Sequence, residues 1–201
     1  MAFPFFTIFI LFIAWFTFNR HRIEKRDKET ERKYWDKEAE ANSTRRKDIS
    51  LLPYVRIPLD QLPFGIHPGD DILLQCEERI RTLSETKALN LTGKTNTELK
   101  LEYGAPNLPF LTECDQNFTE LVRTMQQWGS RLYELCLTDE AEYVLSLAIR
   151  WGSDIKGSYI LLARIYQEKK NLDGLSFLKE QAKQLNSLMK EPILTALEQI
   201  S

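Results

Sequence analysis

The sequence predicts an all-α protein in which an N-terminal transmembrane helix precedes a small stack of antiparallel helical hairpins. Three observations lead to this fold class. Residues 2–18 carry no charged side chain. From residue 70 onward, apolar residues recur every three or four positions, which is typical of helices with one buried face. Similar residues also recur 34 positions apart over residues 122–189, a period typical of stacked helix–turn–helix units.

Residues 1–18 are predicted to be a membrane anchor. At about 1.5 Å per residue the uncharged run is roughly 25 Å long, slightly short of a ~30 Å hydrocarbon core. A cleaved signal peptide is the alternative, but it needs basic residues before the apolar run and small residues at the cleavage site. Lys and Arg cluster at residues 20–28. This asymmetry predicts a single-pass protein of the cell membrane, with its N-terminus outside and its C-terminal domain cytoplasmic.

Two connecting segments follow the predicted anchor. Residues 19–48 are predicted to form a charged helical stem, with a polybasic lipid-binding segment as the alternative. Residues 49–69, called the strap below, contain prolines at positions 53, 58, 63 and 68. Residues before proline favour extended geometry, so the strap is predicted to be non-helical. Its many apolar side chains favour docking along a groove of the helical domain over a detachable, ligand-like segment.

Residues 70–201 are predicted to form one helical domain. Helices are expected at about 70–89, from a cap at Asn96 or Thr97 to Gly104, over 112–136, and from Thr138. Two more should follow on either side of an Asn171 cap, and a capping helix should cover about 191–200, with Pro192 in its first turn. The two repeats are placed at about 122–155 and 156–189. Two repeats bury little surface alone, so the outer helices must cover both ends.

The repeated blocks resemble the tetratricopeptide repeat (TPR) family. This TPR-like resemblance implies a right-handed stack whose groove is lined by the outward positions of the first helix of each hairpin. The chain departs from the family pattern at Met125, Cys136 and Leu175. The matching positions are Trp128, Gly129, Leu132, Tyr133, Ala141, Leu145 and Ala148 in the first block, and Leu162, Ala163, Tyr166, Lys179 and Ala182 in the second. The implied groove residues are Arg123, Gln126, Ser130, Tyr133, Gly157, Ile160, Arg164 and Gln167.

Composition and motifs argue against several functional classes. A net charge of −2 gives no electrostatic footprint for nucleic acid. Three widely spaced cysteines favour neither a disulfide framework nor a zinc site. Two histidines, at positions 21 and 67, lie far from any nucleophile motif. We therefore expect no enzyme activity, no cofactor, no metal and no small-molecule substrate.

The expected function is that of a membrane-tethered protein–protein interaction module, an adaptor or scaffold. The module would present its TPR-like groove to an unidentified cytoplasmic protein, and the lipid bilayer would be a second partner. Tethering raises local concentration without high affinity. The alternative is a structural subunit of a membrane complex assembled through the transmembrane helix. A third hypothesis reverses the topology and places the domain outside the cytoplasm.

Overall fold

The computed structural model describes residues 4–200, with side chains from Ile8 onward. All regular secondary structure within this range is helical, which confirms the all-α prediction. The helices are α1 (Pro4–Ser43), α2 (Asp71–Ser84), α3 (Asn96–Tyr103), a 3-10 helix (Ala105–Asn107), α4 (Leu108–Glu134), α5 (Thr138–Arg150), α6 (Lys156–Glu168), α7 (Leu172–Gln184) and α8 (Lys190–Ile200).

The prediction of a transmembrane helix at residues 1–18 is wrong. Over the described residues, no helix is both long enough and apolar enough to cross a membrane. The uncharged part of α1 ends at Asn19, and Arg20 and Arg22 follow within the same helix. A span needs about 20 predominantly apolar residues, which this run does not supply. The single-pass localisation, with the N-terminus outside and the domain cytoplasmic, is wrong for the same reason. Residues 1–3 of the predicted anchor lie outside the described residues.

The chain divides into two compact units, the first of which combines the chain up to Lys47 with residues 95–108. Within it, the C-terminal end of α1 packs on α3. The Glu38 carboxylate accepts hydrogen bonds from Thr97 Oγ1, at 2.6 Å, and from the Lys100 ammonium, which also donates to Asn42 Oδ1 at 2.8 Å. The charged stem therefore ends in a specific polar contact with α3.

The buried Asn107 side chain closes the same unit. Its Nδ2 donates to the carbonyl oxygens of Lys47, at 2.8 Å, and Tyr103, at 2.7 Å, while its Oδ1 accepts from Arg46 Nε at 3.1 Å. Gly104 adopts φ +94°, and a Cβ there would overlap the backbone of Arg45. Only glycine meets both conditions, so Gly104 is required where α3 stops.

The second unit comprises residues 48–94 and 109–201, and its helices recur at the period found in the sequence. Helix α7 repeats α5, because its first and last residues are numbered 172 and 184 against 138 and 150. By the same comparison, the end of α6 repeats the end of α4, and the start of α8 repeats the start of α6. The register therefore extends one helix beyond the two predicted blocks. Helix α8 occupies the position that the first helix of a third hairpin would have.

Burial follows the same period. In each of α4, α6 and α8, three equivalent positions are buried and spaced i, i+3, i+4, so that they lie on one face of the helix. Gly129 lets α5 approach, since a Cβ there would lie 2.6 Å from Leu145 Cγ. The three sets are Met125, Trp128 and Gly129, then Tyr159, Leu162 and Ala163, then Ile193, Ala196 and Leu197.

The turns that close α4 and α6 are also equivalent. Cys136 and Lys170 stand one period apart and both adopt positive φ, +62° and +55°. The next residue in each turn donates its N–H to the carbonyl five positions earlier, Leu137 to Leu132 at 2.9 Å and Asn171 to Tyr166 at 2.8 Å. A left-handed residue with this 6→1 bond is a common helix end, although glycine is its usual occupant. The turn geometry is thus preserved without glycine.

The strap packs against the core of this unit. Val55 N–H donates to the carbonyl of Ala88 at 2.8 Å, and Leu62 is buried. The Phe64 ring lies 5.3 Å from that of Trp128, centroid to centroid, and the Arg81 guanidinium lies 4.1 Å above Phe64. The strap thereby covers apolar surface that two repeats leave uncovered.

Candidate functional site

The outward face of α4 and α6 carries the groove residues inferred from the sequence. Its members lie to one side of the buried stripes at positions 125, 128 and 129 and at 159, 162 and 163, and Tyr133 also packs against the core. Arg123, Arg164 and Gln167 are exposed, whereas Gln126, Ser130, Tyr133 and Ile160 are half-buried. Such a mixture of exposure is expected where neighbouring helices approach and leave a shallow valley between them.

Gln126 joins the two helices at one end of this face. Its Nε2 donates to Ser130 Oγ at 3.0 Å, along α4. On α6, the space beside exposed Gly157 is filled by the Gln126 side chain, whose Nε2 would lie 3.5 Å from an added Cβ. The first residues of α6 therefore lie against the middle of α4.

Tyr133 joins the helices at the other end. Its hydroxyl donates to Glu168 Oε1 at 2.6 Å. This hydrogen bond raises the pKa of Tyr133, because ionising the phenol would break it and place two negative charges together; the Arg164 charge acts in the opposite direction. Tyr133, Arg164 and Glu168 thus form one polar cluster. Sequence reasoning missed Glu168.

Helix α8 continues the face beyond α6. Gln167 Nε2 donates to the backbone carbonyl of Ile200, which links the outward side of α6 to the C-terminal end of α8. One period beyond positions 157, 160 and 164 stand Glu191, Leu194 and Glu198; the two glutamates are exposed and Leu194 is half-buried. Sequence reasoning treated α8 as a cap and missed this third row, although the repeat period was sufficient to find it.

Arg123 lies apart from this network. It is exposed on α4, and no hydrogen bond or ion pair described for residues 4–200 engages it. The outward face of the three helices, called the three-helix face below, therefore comprises Arg123, Gln126, Ser130, Tyr133, Gly157, Ile160, Arg164, Gln167, Glu168, Glu191, Leu194 and Glu198.

Helix α4 is fixed from behind by a nearly buried carboxylate. Asp70 Oδ1 caps α2 by accepting from the N–H groups of Ile72, at 3.1 Å, and Leu73, at 3.0 Å. Its Oδ2 accepts from Arg131 Nη2 and Nε, at 2.6 and 2.9 Å. The Arg131 bonds, followed by the Leu73 N–H, hold the pKa of Asp70 below its ordinary range. One ionised side chain thus positions both α2 and α4.

Another concave region lies where residues 89–93 meet the ends of α5 and α7. A cavity of about 320 Å³ there is lined in part by Asn90, Trp151, Gln184 and Asn186. Asn90 Nδ2 already donates to the carbonyl oxygens of Trp151 and Gly152, at 3.3 and 3.1 Å. Because the Asn90 amide is already engaged by the loop carbonyls, this cavity is a weaker candidate for a binding site than the three-helix face.

Within residues 4–200, no three His, Cys, Asp or Glu side chains are close enough to share a metal ion. In comparisons with known proteins, no family model, curated protein or solved structure matches this chain. The likeness to tetratricopeptide repeats consequently rests on the residues of the chain and on the period of its helices.

Proposed function

We propose that this protein is a protein–protein interaction module, an adaptor or scaffold, and that the three-helix face binds its partner. The observation that carries the proposal is the register of α4, α6 and α8. Three helices related by the same period present their outward positions side by side, so that together they offer a continuous, shallow surface. Solenoids of stacked hairpins use extended surfaces of this kind for recognition.

The repeat itself is proposed to be TPR-like. Three features support this proposal: the equivalent bounds of α5 and α7, the equivalent turns at Cys136 and Lys170, and the close contact of Gly129 with Leu145 on α5. Small residues at fixed positions in such hairpins allow the paired helices to pack closely. The departures at Met125 and Cys136 are accommodated, because Met125 is fully buried and Cys136 adopts the turn conformation.

Photo-crosslinking in the native cell tests the binding face. A photoreactive amino acid is placed at Gln126 or at Ile160, both half-buried positions of the face. We expect each probe to capture the same protein, because the two side chains lie on adjacent helices. Lys183, exposed on α7 outside the three-helix face, serves as the matched control position.

Two results would refute this function. In the first, capture from Lys183 equals capture from Gln126 and Ile160, which would show unspecific contact. In the second, neither face position captures a protein while the control reagents work. A partner that is captured from both face positions, and is lost when Ile160 is changed to Ser in the Gln126-probe protein, supports the proposal.

A further inference from the structure

We infer that the segment bound by the three-helix face is extended and carries its charges in two blocks, with acidic residues facing α4 and α6 and basic residues facing α8. This inference rests on the proposed function and specifies the chemistry of its partner. It concerns four side chains that form no ion pair within the described residues. These are Arg123, Arg164, Glu191 and Glu198, all of which are exposed.

The four charges are sorted by helix. Helix α4 contributes Arg123 to the face, α6 contributes Arg164, and α8 contributes two carboxylates. Within the described part of the chain, none of the four takes part in an ion pair. By contrast, Glu134 beside the face pairs with Arg131, whereas Glu168 on α6 accepts only from the neutral hydroxyl of Tyr133 and keeps its negative charge. The charge of the face is therefore positive on α4, mixed on α6, where Arg164 and Glu168 both lie, and negative on α8.

Apolar side chains lie on the middle helix and among the carboxylates of α8. Ile160 on α6 and Leu194 on α8 occupy equivalent positions, one period apart, and both are half-buried. A bound segment thus meets cations first, then a small apolar patch, and then anions. Opposite charges across an interface fix the orientation and register of the bound partner.

The width of the face sets the length of the bound segment. Packed helices lie about 8–10 Å apart, so that α4 and α8 are separated by roughly 16–20 Å. An extended chain advances about 3.3–3.6 Å per residue. The acidic and basic ends of the ligand should consequently lie about five or six residues apart, with an apolar residue between them.

Two synthetic peptides of equal composition test this charge order. The block peptide is Glu-Glu-Ser-Leu-Ser-Lys-Lys, and the alternating peptide is Glu-Lys-Ser-Leu-Ser-Glu-Lys, both capped at the termini and labelled with fluorescein. Binding to the full-length protein is followed by fluorescence anisotropy at low ionic strength, where surface charges are least screened. We expect the block peptide to bind about tenfold more tightly than the alternating peptide.

Charge reversal on the protein supplies the matched variants. Arg123→Glu combined with Arg164→Glu should weaken block-peptide binding about tenfold, because two attractions become repulsions. Adding Glu191→Lys and Glu198→Lys inverts all four of these charges, so that the peptide binds in the opposite direction. Affinity should then return to within about threefold of the original. Arg56→Glu, an exposed arginine of the strap, is the control and should change little.

Several outcomes would overturn the inference. Equal binding of the two peptides, or no binding of either, would show that the three-helix face does not distinguish the order of charges along a peptide. If Arg56→Glu weakened peptide binding as much as the combined Arg123→Glu and Arg164→Glu change, the binding would be non-specific electrostatic attraction. Tighter binding of a single-stranded oligonucleotide than of the block peptide would indicate a nucleic-acid ligand. Self-association abolished by Arg123→Glu would indicate a second copy of the chain as the occupant.

Failure of this inference is distinguishable from failure of the proposed function. If Gln126 and Ile160 probes still capture a protein while the two peptides bind equally, the face binds proteins but does not sort charge. If neither probe captures a protein, the proposed function fails, whatever the peptides do.

Discussion

The N-terminal part of α1 and the core of α4–α8 use similar apolar residues but bury them very differently. Leu11 is 64% exposed and Phe12 is 55% exposed, whereas Leu162 and Trp128 are fully buried. Residues 8–18 carry large side chains on every side of the helix. The core helices instead confine theirs to one stripe and place Gly129 and Gly174 where a neighbouring side chain approaches.

This difference shows that apolar composition alone does not build a core. A stripe with 3.6-residue periodicity gives two helices a common face, and small residues allow that face to close. An apolar surface all around a helix has no preferred partner face. The predictions below test this contrast, beginning with the largest expected effect.

The same substitution at Leu11 and Leu162 should change the free energy of unfolding by very different amounts. Leu162→Ala leaves a cavity in the core and should lower the free energy of unfolding by about 2–5 kcal/mol. Leu11→Ala removes a mostly exposed side chain, so the change should remain within about 0.5 kcal/mol. Urea denaturation followed by circular dichroism measures both. Comparable losses in the free energy of unfolding at the two positions would show that Leu11 and Leu162 do not differ in burial as described.

Two glycines sharpen the contrast within the core helices themselves. Gly129→Ala drives a methyl group into Leu145 and should destabilise the protein by about 1–3 kcal/mol. Gly157→Ala meets Gln126 only at an ordinary 3.5 Å and should stabilise α6 by about 0.5 kcal/mol. Thermal unfolding distinguishes the two signs. A stabilising Gly129→Ala would mean that α4 and α5 are not in close contact.

Asp70→Asn isolates a charge effect, since asparagine is an equally good helix cap. The pKa of Asp70 is held below its ordinary 3.8 in the folded protein. Its contribution to stability is therefore present above pH 3.8 and is lost as the pH falls through the lower, folded value. The variant should have a lower Tm than the original protein at pH 7, and the difference should vanish in strong acid. A difference that is independent of pH would exclude the Arg131 ion pair as its cause.

Tyr133→Phe should have the smallest effect. It removes the hydroxyl that donates to Glu168, a contact exposed to solvent, so the cost should be about 0.5 kcal/mol or less. Urea denaturation measures it, with Tyr143→Phe as the control at another exposed tyrosine–side-chain bond. A loss above about 2 kcal/mol, more than one such hydrogen bond normally contributes, would mean that this bond is essential for holding α4 and α6 together.

Much of the helical architecture was predictable from periodicity. The Asn171 cap and the Gly104 stop are confirmed, as each follows from a local preference of one residue type. Helix boundaries were less predictable. Helix α4 begins at Leu108 rather than Thr112, because Pro109 is tolerated in a first turn and does not end the helix. Helix α2 ends at Ser84 rather than near residue 89.

Where several residues within a few positions could each cap a helix, the actual cap was also difficult to predict. Helix α3 is capped by Thr95, in a reciprocal box with Glu98, rather than by Asn96 or Thr97. Helix α5 begins at Thr138 but follows Leu137 without a side-chain cap, since the 6→1 turn at Cys136 already fixes the chain direction. In such turns the backbone hydrogen bonds outweigh the preference of one side chain.

The site was predictable only as far as the repeat was recognised. Outward positions on α4 and α6 followed from the two blocks, whereas Glu191, Leu194 and Glu198 required the period to be extended into α8. The apolar N-terminus illustrates the opposite error. Hydrophobicity alone suggested a transmembrane span, but no helix of the described residues is long and apolar enough for one.

The most direct test of the account uses the protein captured from Gln126 and Ile160, purified and titrated against the full-length chain by calorimetry. Ile160→Ser on the three-helix face should weaken its binding at least about tenfold, as a central apolar contact does when it is truncated. Lys183→Ser on α7 should leave the affinity unchanged. Equal affinities for the original protein and the Ile160→Ser variant would contradict the assignment of the three-helix face as the binding surface.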